Sequence, residues 1–221
     1  INIPTFIKYI GSSAFADTKK LHSVEFESDI NLIEDFAFAR SSIKSILIPK
    51  TVRKIGENCF DSCEILKKVI LLNNSELNCI ESHAFYKSSI ESIFIPKKVR
   101  KIGSHAFNQC FKLSMVEFDR DSDVESIMDC AFAATKIKSF SVPKKVCQIG
   151  QHAFDFCQNL RSVEFLSNDF SIHIIIFVEC RNLFIISFPN AQKVSIKESE
   201  FLFFKRDLSV FLVPNSDLIL I

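Results

Sequence analysis

Apolar residues recur at almost every third position along most of the chain, and this spacing changes to alternation once in each repeating unit. In the clearest unit, Val99 and Ile102, and later Cys110 and Leu113, follow the third-position spacing, whereas Val116-Glu117-Phe118 alternates. Third-position spacing is typical of tight turns or 3₁₀-like geometry, and alternation is the period of a strand. Each unit therefore predicts one short strand and a turn-rich or briefly helical return segment.

The units repeat, and their most regular marker is a phenylalanine that recurs every 22 to 25 residues. The markers are Phe15, Phe38, Phe60, Phe85, Phe107, Phe132 and Phe154. Intervals of this length indicate a solenoid in which each coil buries its apolar face against its neighbours. The sequence therefore predicts a mainly β repeat solenoid with a parallel sheet.

Alternate coils differ, so the true repeat is a pair of coils 47 residues long, as the spacing of Ile55, Ile102 and Ile149 shows. The strand ends in Ile-Pro in one coil type and in a polar loop such as residues 119–123 in the other. We expect about nine coils in a single domain over residues 1–221.

Residues 1–165 carry the regular coils, and residues 166–221 are degenerate, with Val178 and Phe203 expected in the marker position. The chain begins without methionine and ends within a coil, so we expect it to be a fragment of a longer protein.

The segments Ile-Gly-x-x-Ala-Phe-x-x-Cys-x-x-Leu at residues 102–113 and 149–160, together with the strand-ending Ile-Pro, resemble the BspA-like leucine-rich repeats. The resemblance extends over nearly the whole chain. It implies a right-handed leucine-rich-repeat superhelix in a cell-surface or secreted protein that functions in adhesion or ligand binding. The implied partner is a protein or glycan. The family has no shared catalytic residues, so no enzymatic activity and no cofactor are implied.

Composition narrows the function further. Lysine and arginine total 27 against 26 aspartates and glutamates, so no net field attracts nucleic acid. Apolar runs such as residues 174–178 are too short to span a membrane, so we expect no membrane insertion within this segment.

All four glycines follow the repeated isoleucine, where we expect glycine to supply a backbone conformation that other residues avoid. No phosphate-binding or nucleophile motif is present.

Three of the eight cysteines, Cys63, Cys110 and Cys157, share one position in alternate coils. Two coil steps separate their Cα atoms by roughly 9.5 Å, which is beyond the reach of a disulfide. We therefore expect buried free thiols. The remaining cysteines share no position and form no CxxC pair, so no disulfide framework is expected. They are Cys59, Cys79, Cys130, Cys147 and Cys180.

The position before Ala-Phe holds His83, His105, Cys130 and His152 in four successive coils. These residue types are the usual ligands of zinc. A metal-dependent enzyme using this ladder is therefore one alternative, although no general base lies at a matched spacing. The more ordinary interpretation is a row of polar side chains at the solvent edge, because neighbours in a flat stack point in parallel.

Charged residues lie at the coil edges, with basic positions such as Lys97, Lys98 and Arg100 next to acidic ones such as Asp119 and Asp121. Opposite charges one coil apart predict mutual pairing on a solvated rim. A stripe that binds polyanions is the alternative.

The outward residue in the middle of each predicted strand is the most informative for function. Leu47, Ile70 and Phe94 would face solvent in adjacent coils, next to Glu117. We call these four residues the sheet-face patch. Contiguous exposed apolar residues commonly mark an interaction site, and cover by another chain or domain is the alternative.

Asn73-Asn74-Ser75 is a glycosylation sequon in a predicted loop, so Asn73 is a candidate acceptor in a secreted eukaryotic protein. An intracellular leucine-rich-repeat scaffold is a further alternative, which the free cysteines and the absence of a visible signal peptide favour.

Overall fold

The structure is a computed structural model, and it describes residues 1–27, 29–172, 174–190, 193–196, 210–212 and 217–220. The chain winds into a parallel β-solenoid with two strands in each coil. One strand of each coil belongs to a row that we call the broad sheet: β1 (Asn2–Ile3), β3 (Glu25–Phe26), β5 (Ser45–Leu47), β7 (Lys68–Ile70), β9 (Ser92–Ile95), β11 (Met115–Phe118), β13 (Ser139–Val142), β15 (Ser162–Phe165), β17 (Ile185–Ser187) and β19 (Val210–Leu212).

A second row of strands, the narrow sheet, runs along another side of the solenoid and was not expected from the sequence. It contains β2 (Tyr9–Ile10), β4 (Leu32–Ile33), β6 (Lys54–Ile55), β8 (Cys79–Ile80), β10 (Lys101–Ile102), β12 (Ser126–Ile127) and β14 (Gln148–Ile149), followed by β16 (Asp169–Ile172), β18 (Lys193–Ile196) and β20 (Asp217–Leu220). Turns connect the two rows. One 3₁₀ helix, Ile174–Phe177, is the only helix in the described residues.

The marker phenylalanines form a continuous column in the core. Eight rings, from Phe15 to Phe177, stack with neighbouring centroids 5.1–5.7 Å apart. The stacked rings thus mark about eight turns, slightly fewer than the expected nine, and β17 and β19 follow the last ring. The assignment of Val178 to the column is wrong, because Phe177 stacks on Phe154 whereas Val178 is exposed. The apolar residues before Val178 made the position of the marker in the sequence ambiguous by one residue. Phe203 lies outside the described residues.

The glycines act through space and not through an unusual backbone conformation. None of them has a positive φ, which corrects the sequence-based expectation. A Cβ on Gly56 would lie 2.5 Å from the carbonyl carbon of Glu34, and a Cβ on Gly103 would lie 2.5 Å from that of Glu81. Each of these glycines therefore lets its coil approach the backbone of the preceding coil.

The thiols of Cys63, Cys110 and Cys157 are buried and free, as the sequence predicts. Burial raises the pKa of Cys63 to about 11 and that of Cys110 to about 12. The expectation that Cys180 has no place in the repeat is wrong. Its Sγ donates to the carbonyl of Phe154 at 2.9 Å, as Cys157 donates to that of Phe132 at 3.1 Å. The misplaced marker at Val178 hid this equivalence.

Candidate ligand-binding face

The structure places all four residues of the sheet-face patch on the outer surface of the broad sheet. The side chain of Leu47 is 48% exposed, and it lies between the buried Ile46 and Ile48. Ile70 and Phe94 also alternate with buried neighbours and are half-buried, and Glu117 is exposed. The alternation expected from the sequence thus holds in these strands.

Strand pairing makes the patch contiguous. Leu47 lies opposite Ile70 in the pairing of β5 with β7, and Phe94 lies opposite Glu117 in the pairing of β9 with β11. The single pair between β7 and β9, Lys68 with Ser92, places Ile70 beside Phe94 in register. The three apolar side chains therefore follow one another across three strands.

Met115 adds a further apolar residue that the sequence argument missed. It lies in β11 opposite Ser92, and its side chain is 49% exposed. The sequence pattern was followed for one outward residue in each strand, whereas a four-residue strand has two. The same alternation, followed two residues earlier in the strand, identifies Met115.

A groove opens next to the patch, where the broad sheet is interrupted. No backbone hydrogen bond in the described chain joins β11 to β13, although each strand is paired on its other side. The groove has a volume of about 1110 Å³. Met115 and Glu117 line it from β11, Ser139 and Ser141 line it from β13, and Phe94 contributes from β9. The patch and the groove thus share residues.

Charges surround this groove unevenly. Lys97 lies 3.9 Å from Asp121, and Lys145 binds Asp123, so these four charges are partly neutralised. Lys138 and Lys144 also line the groove, and neither forms an ion pair within the described part of the chain. The β13 side of the groove is therefore basic, whereas Glu117 supplies an acidic group on the β11 side.

Ion pairs between neighbouring coils confirm the expected pairing of edge charges. Lys98 binds both oxygens of Glu76 at 2.8 Å. Glu81 lies 3.4 Å from both Lys54 and Lys101. Burial acts to raise the pKa of Glu81, but the two lysines outweigh it and lower the pKa below its usual value. These pairs neutralise much of the basic stripe that was considered as a polyanion site.

The histidine ladder forms a stack of parallel side chains. The rings of His83 and His105 lie 4.7 Å apart with an interplanar angle of 13°. Nδ1 of His105 is 2.7 Å from the Asn108 amide, and Nδ1 of His152 is 2.5 Å from Asp155. Burial raises the pKa of the Cys130 thiol. Within the described residues, no three His, Cys, Asp or Glu side chains are grouped as a metal site would need.

Asn73 lies in an exposed turn directly after β7. The Ser75 side chain of the sequon, in contrast, is buried and accepts a hydrogen bond from the backbone N–H of Leu77. Glycosylation of Asn73 stays a prediction.

Comparisons with known proteins give a family and a fold. The family profile described as BspA type leucine-rich repeat region matches residues 1–114 and 112–217, in six copies. A leucine-rich repeat protein from Bacteroides ovatus is 17% identical, with a TM-score of 0.57 over 100% of this chain and 83% of that chain. No curated protein matches this chain in sequence.

Two further solved structures share the fold. A leucine-rich cell surface protein from Faecalibacterium prausnitzii is 20% identical, with a TM-score of 0.50 over 97% of this chain and 79% of that chain. The T. pallidum leucine-rich repeat protein is 21% identical, with a TM-score of 0.50 over 86% of this chain and 81% of that chain. In the part of the chain that the structure describes, no helix is long and apolar enough to cross a membrane.

Proposed function

Because the chain belongs to the BspA-type leucine-rich repeat family, we propose that it is a non-enzymatic interaction module that binds a polypeptide through the outer face of the broad sheet. The observation that carries this proposal is the row of Leu47, Ile70 and Phe94, with Met115 beside it. The part of an apolar side chain that stays in contact with water gains no free energy from folding, and covering it by a partner is favourable.

The interruption between β11 and β13 favours a polypeptide over a glycan. Strand edges without a ladder offer backbone N–H and C=O groups that an extended peptide can pair with. Apolar side chains of such a peptide would then contact Phe94 and Met115, which border the same groove. A glycan has no peptide backbone with which to pair these strand edges.

The charges set a preference within this ligand class. Lys138 and Lys144 on the β13 side would attract acidic side chains of the ligand, and Glu117 would disfavour them on the β11 side. Rim charges mainly affect the association rate and the orientation of a ligand, whereas the apolar anchors supply most of the affinity.

The proposed setting is the cell surface, with adhesion as the proposed role. The Faecalibacterium prausnitzii protein with the same fold is described as a cell surface protein. A protein that binds ligands at the cell surface needs an exposed binding face, and we propose that the sheet-face patch is that face.

Selection from a random peptide library displayed on phage tests the proposal without a known ligand. Peptides selected on the wild-type protein should bind Phe94→Ala about 5- to 150-fold more weakly, because a central apolar anchor contributes roughly 1–3 kcal/mol. Phe111→Ala is the matched control, since Phe111 is also exposed but lies outside the broad sheet.

Two results would contradict the proposal. One is equal affinity of the selected peptides for the wild type and Phe94→Ala. The other is self-association of the wild type in ultracentrifugation that Phe94→Ala abolishes, because the patch would then be an interface between copies of this chain.

A further inference from the structure

The position three residues after each marker phenylalanine forms a second column inside the solenoid. Hydroxyls and thiols alternate in this column from the second coil, until the pattern breaks at the end. The column contains Thr18, Ser41, Cys63, Ser88, Cys110, Thr135, Cys157 and Cys180. Within the described column, Cys157 and Cys180 are therefore the only two thiols in neighbouring coils.

Side chains of neighbouring coils touch each other in this column. Ser41 Oγ lies 3.5 Å from Cys63 Sγ, and Thr135 Oγ1 lies 3.2 Å from Cys157 Sγ. Cys180 takes the position of the next hydroxyl, and its Sγ has the same kind of backbone acceptor as the other thiols. The thiols of Cys157 and Cys180 are close enough to influence each other's ionisation.

The backbone spacing suits a covalent link between these two thiols. Neighbouring coils of a parallel stack lie about 4.8 Å apart. This spacing falls within the roughly 4.4–6.8 Å that separates the Cα atoms of a disulfide. We propose that Cys157 and Cys180 form a disulfide in an oxidising environment, which would tie the first irregular coil to the regular stack.

The reaction is thiol–disulfide exchange with a small disulfide oxidant of the glutathione class. The oxidant reaches Cys180, which is partly exposed, whereas Cys157 is fully buried. The Cys157 thiolate takes the proton of Cys180, and the Cys180 sulfur attacks one sulfur of the oxidant, forms a mixed disulfide and releases the other sulfur as a thiolate. The released thiolate takes the proton from Cys157, the Cys157 thiolate attacks Cys180 Sγ, and the second sulfur of the oxidant leaves. Two thiols of the protein are oxidised, the oxidant is reduced to two thiols, and these take up the two protons.

The electrostatics of the pair support this chemistry. The interaction with the neighbouring Cys180 thiol lowers the pKa of Cys157, although burial opposes the effect. Burial instead raises the pKa of Cys63 and Cys110, whose column neighbours carry hydroxyls. The same interaction raises the pKa of Cys180. The pair therefore gives up its first proton more readily than an isolated thiol and its second proton less readily, and the thiolate is the attacking species.

The test is incubation of the folded protein in glutathione buffers of increasing oxidised fraction. Free thiols are then blocked by alkylation, and the protein is digested without reductant for mass spectrometry. We expect a cross-linked peptide pair that contains Cys157 and Cys180 and lacks two hydrogens, while Cys63 and Cys110 stay reduced. The oxidised protein should also melt at a higher temperature than the reduced protein.

Two variants sharpen the test. Cys180→Ser restores the alternation of the column and should give no cross-link and no difference in melting temperature between the two buffers. Ser88→Cys places a thiol next to Cys110, where Ser88 Oγ now lies 3.4 Å from Cys110 Sγ, and should create a second cross-link. The proposal is overturned if wild-type Cys157 and Cys180 stay reduced in fully oxidised glutathione, or if Cys180 is trapped as a mixed disulfide without an internal bond.

Discussion

At the scale of single residues, two positions in each regular coil adopt a left-handed backbone conformation without glycine. His105 has a φ of 57° and Gln109 a φ of 59°. Such a conformation costs roughly 1–2 kcal/mol for a residue with a Cβ. In both residues the backbone N–H donates to the next coil, to Asp129 at 2.8 Å and to Ala133 at 2.9 Å. The stacking of coils thus compensates for the local strain. The position of His105 also tolerates asparagine, since Asn58 occupies the equivalent position one pair of coils earlier.

The ladder predicts a dependence of stability on pH. Burial lowers the pKa of His105, and the neighbouring His83 adds to this effect, whereas Asp129 acts in the opposite direction. The folded protein therefore binds this proton less readily than the unfolded chain. The stabilising contribution is complete above the ordinary value of 6.5 and is lost as the pH falls below it.

The variant that checks this is His105→Asn, which keeps a residue suited to the left-handed backbone and removes the titrating ring. Denaturant midpoints at about pH 7.5 and about pH 5 should differ less in the variant than in the wild type. An equal loss of stability on acidification in both proteins would assign the pH dependence to other groups.

At the scale of elements, the alternation of two coil types follows from how closely neighbouring coils approach. Gly56, Gly103 and Gly150 begin their turns against the backbone of the preceding coil. The equivalent residues of the intervening coils, Glu34, Glu81 and Met128, carry long side chains. The backbones of neighbouring coils therefore approach closely at every second contact between coils, which explains why the repeat is a pair of coils 47 residues long.

This explanation predicts different effects for two glycine substitutions that are chemically identical. Gly103→Ala should destabilise the protein by roughly 1–3 kcal/mol, because the new Cβ meets backbone atoms of Glu81 and Ser82 that cannot move freely. Gly11→Ala is the control, because a Cβ on Gly11 would have its nearest neighbours 3.9 Å away, at ordinary contact distance. It should be neutral or stabilising by up to about 1 kcal/mol.

Denaturant unfolding of both variants measures the difference. Similar midpoints for Gly103→Ala and Gly11→Ala would show that close contact between coils does not explain the glycines.

At the scale of the whole molecule, the repeat made the core predictable from the sequence, whereas the departures from the repeat could not be predicted. The phenylalanine column and the outward position of Leu47 follow from spacing and alternation, which long regular segments specify well. The narrow sheet has no such signal, since a two-residue strand such as Lys101–Ile102 has no period to detect. The groove could not be predicted from the sequence either, because Val116-Glu117-Phe118 and Phe140-Ser141-Val142 both have strand patterns. The groove lies where hydrogen bonds between these two strands are missing.

The central claim is that the outer face of the broad sheet, around Phe94, binds a polypeptide. Carbene footprinting of the protein with and without a peptide selected on it tests this claim most directly, because it reports the side chains that the ligand covers. Labelling of Phe94 and Met115 should fall strongly when the peptide binds, while the exposed Phe111 and Phe156 should be labelled as before. Unchanged labelling of Phe94 and Met115 with saturating peptide would contradict the account.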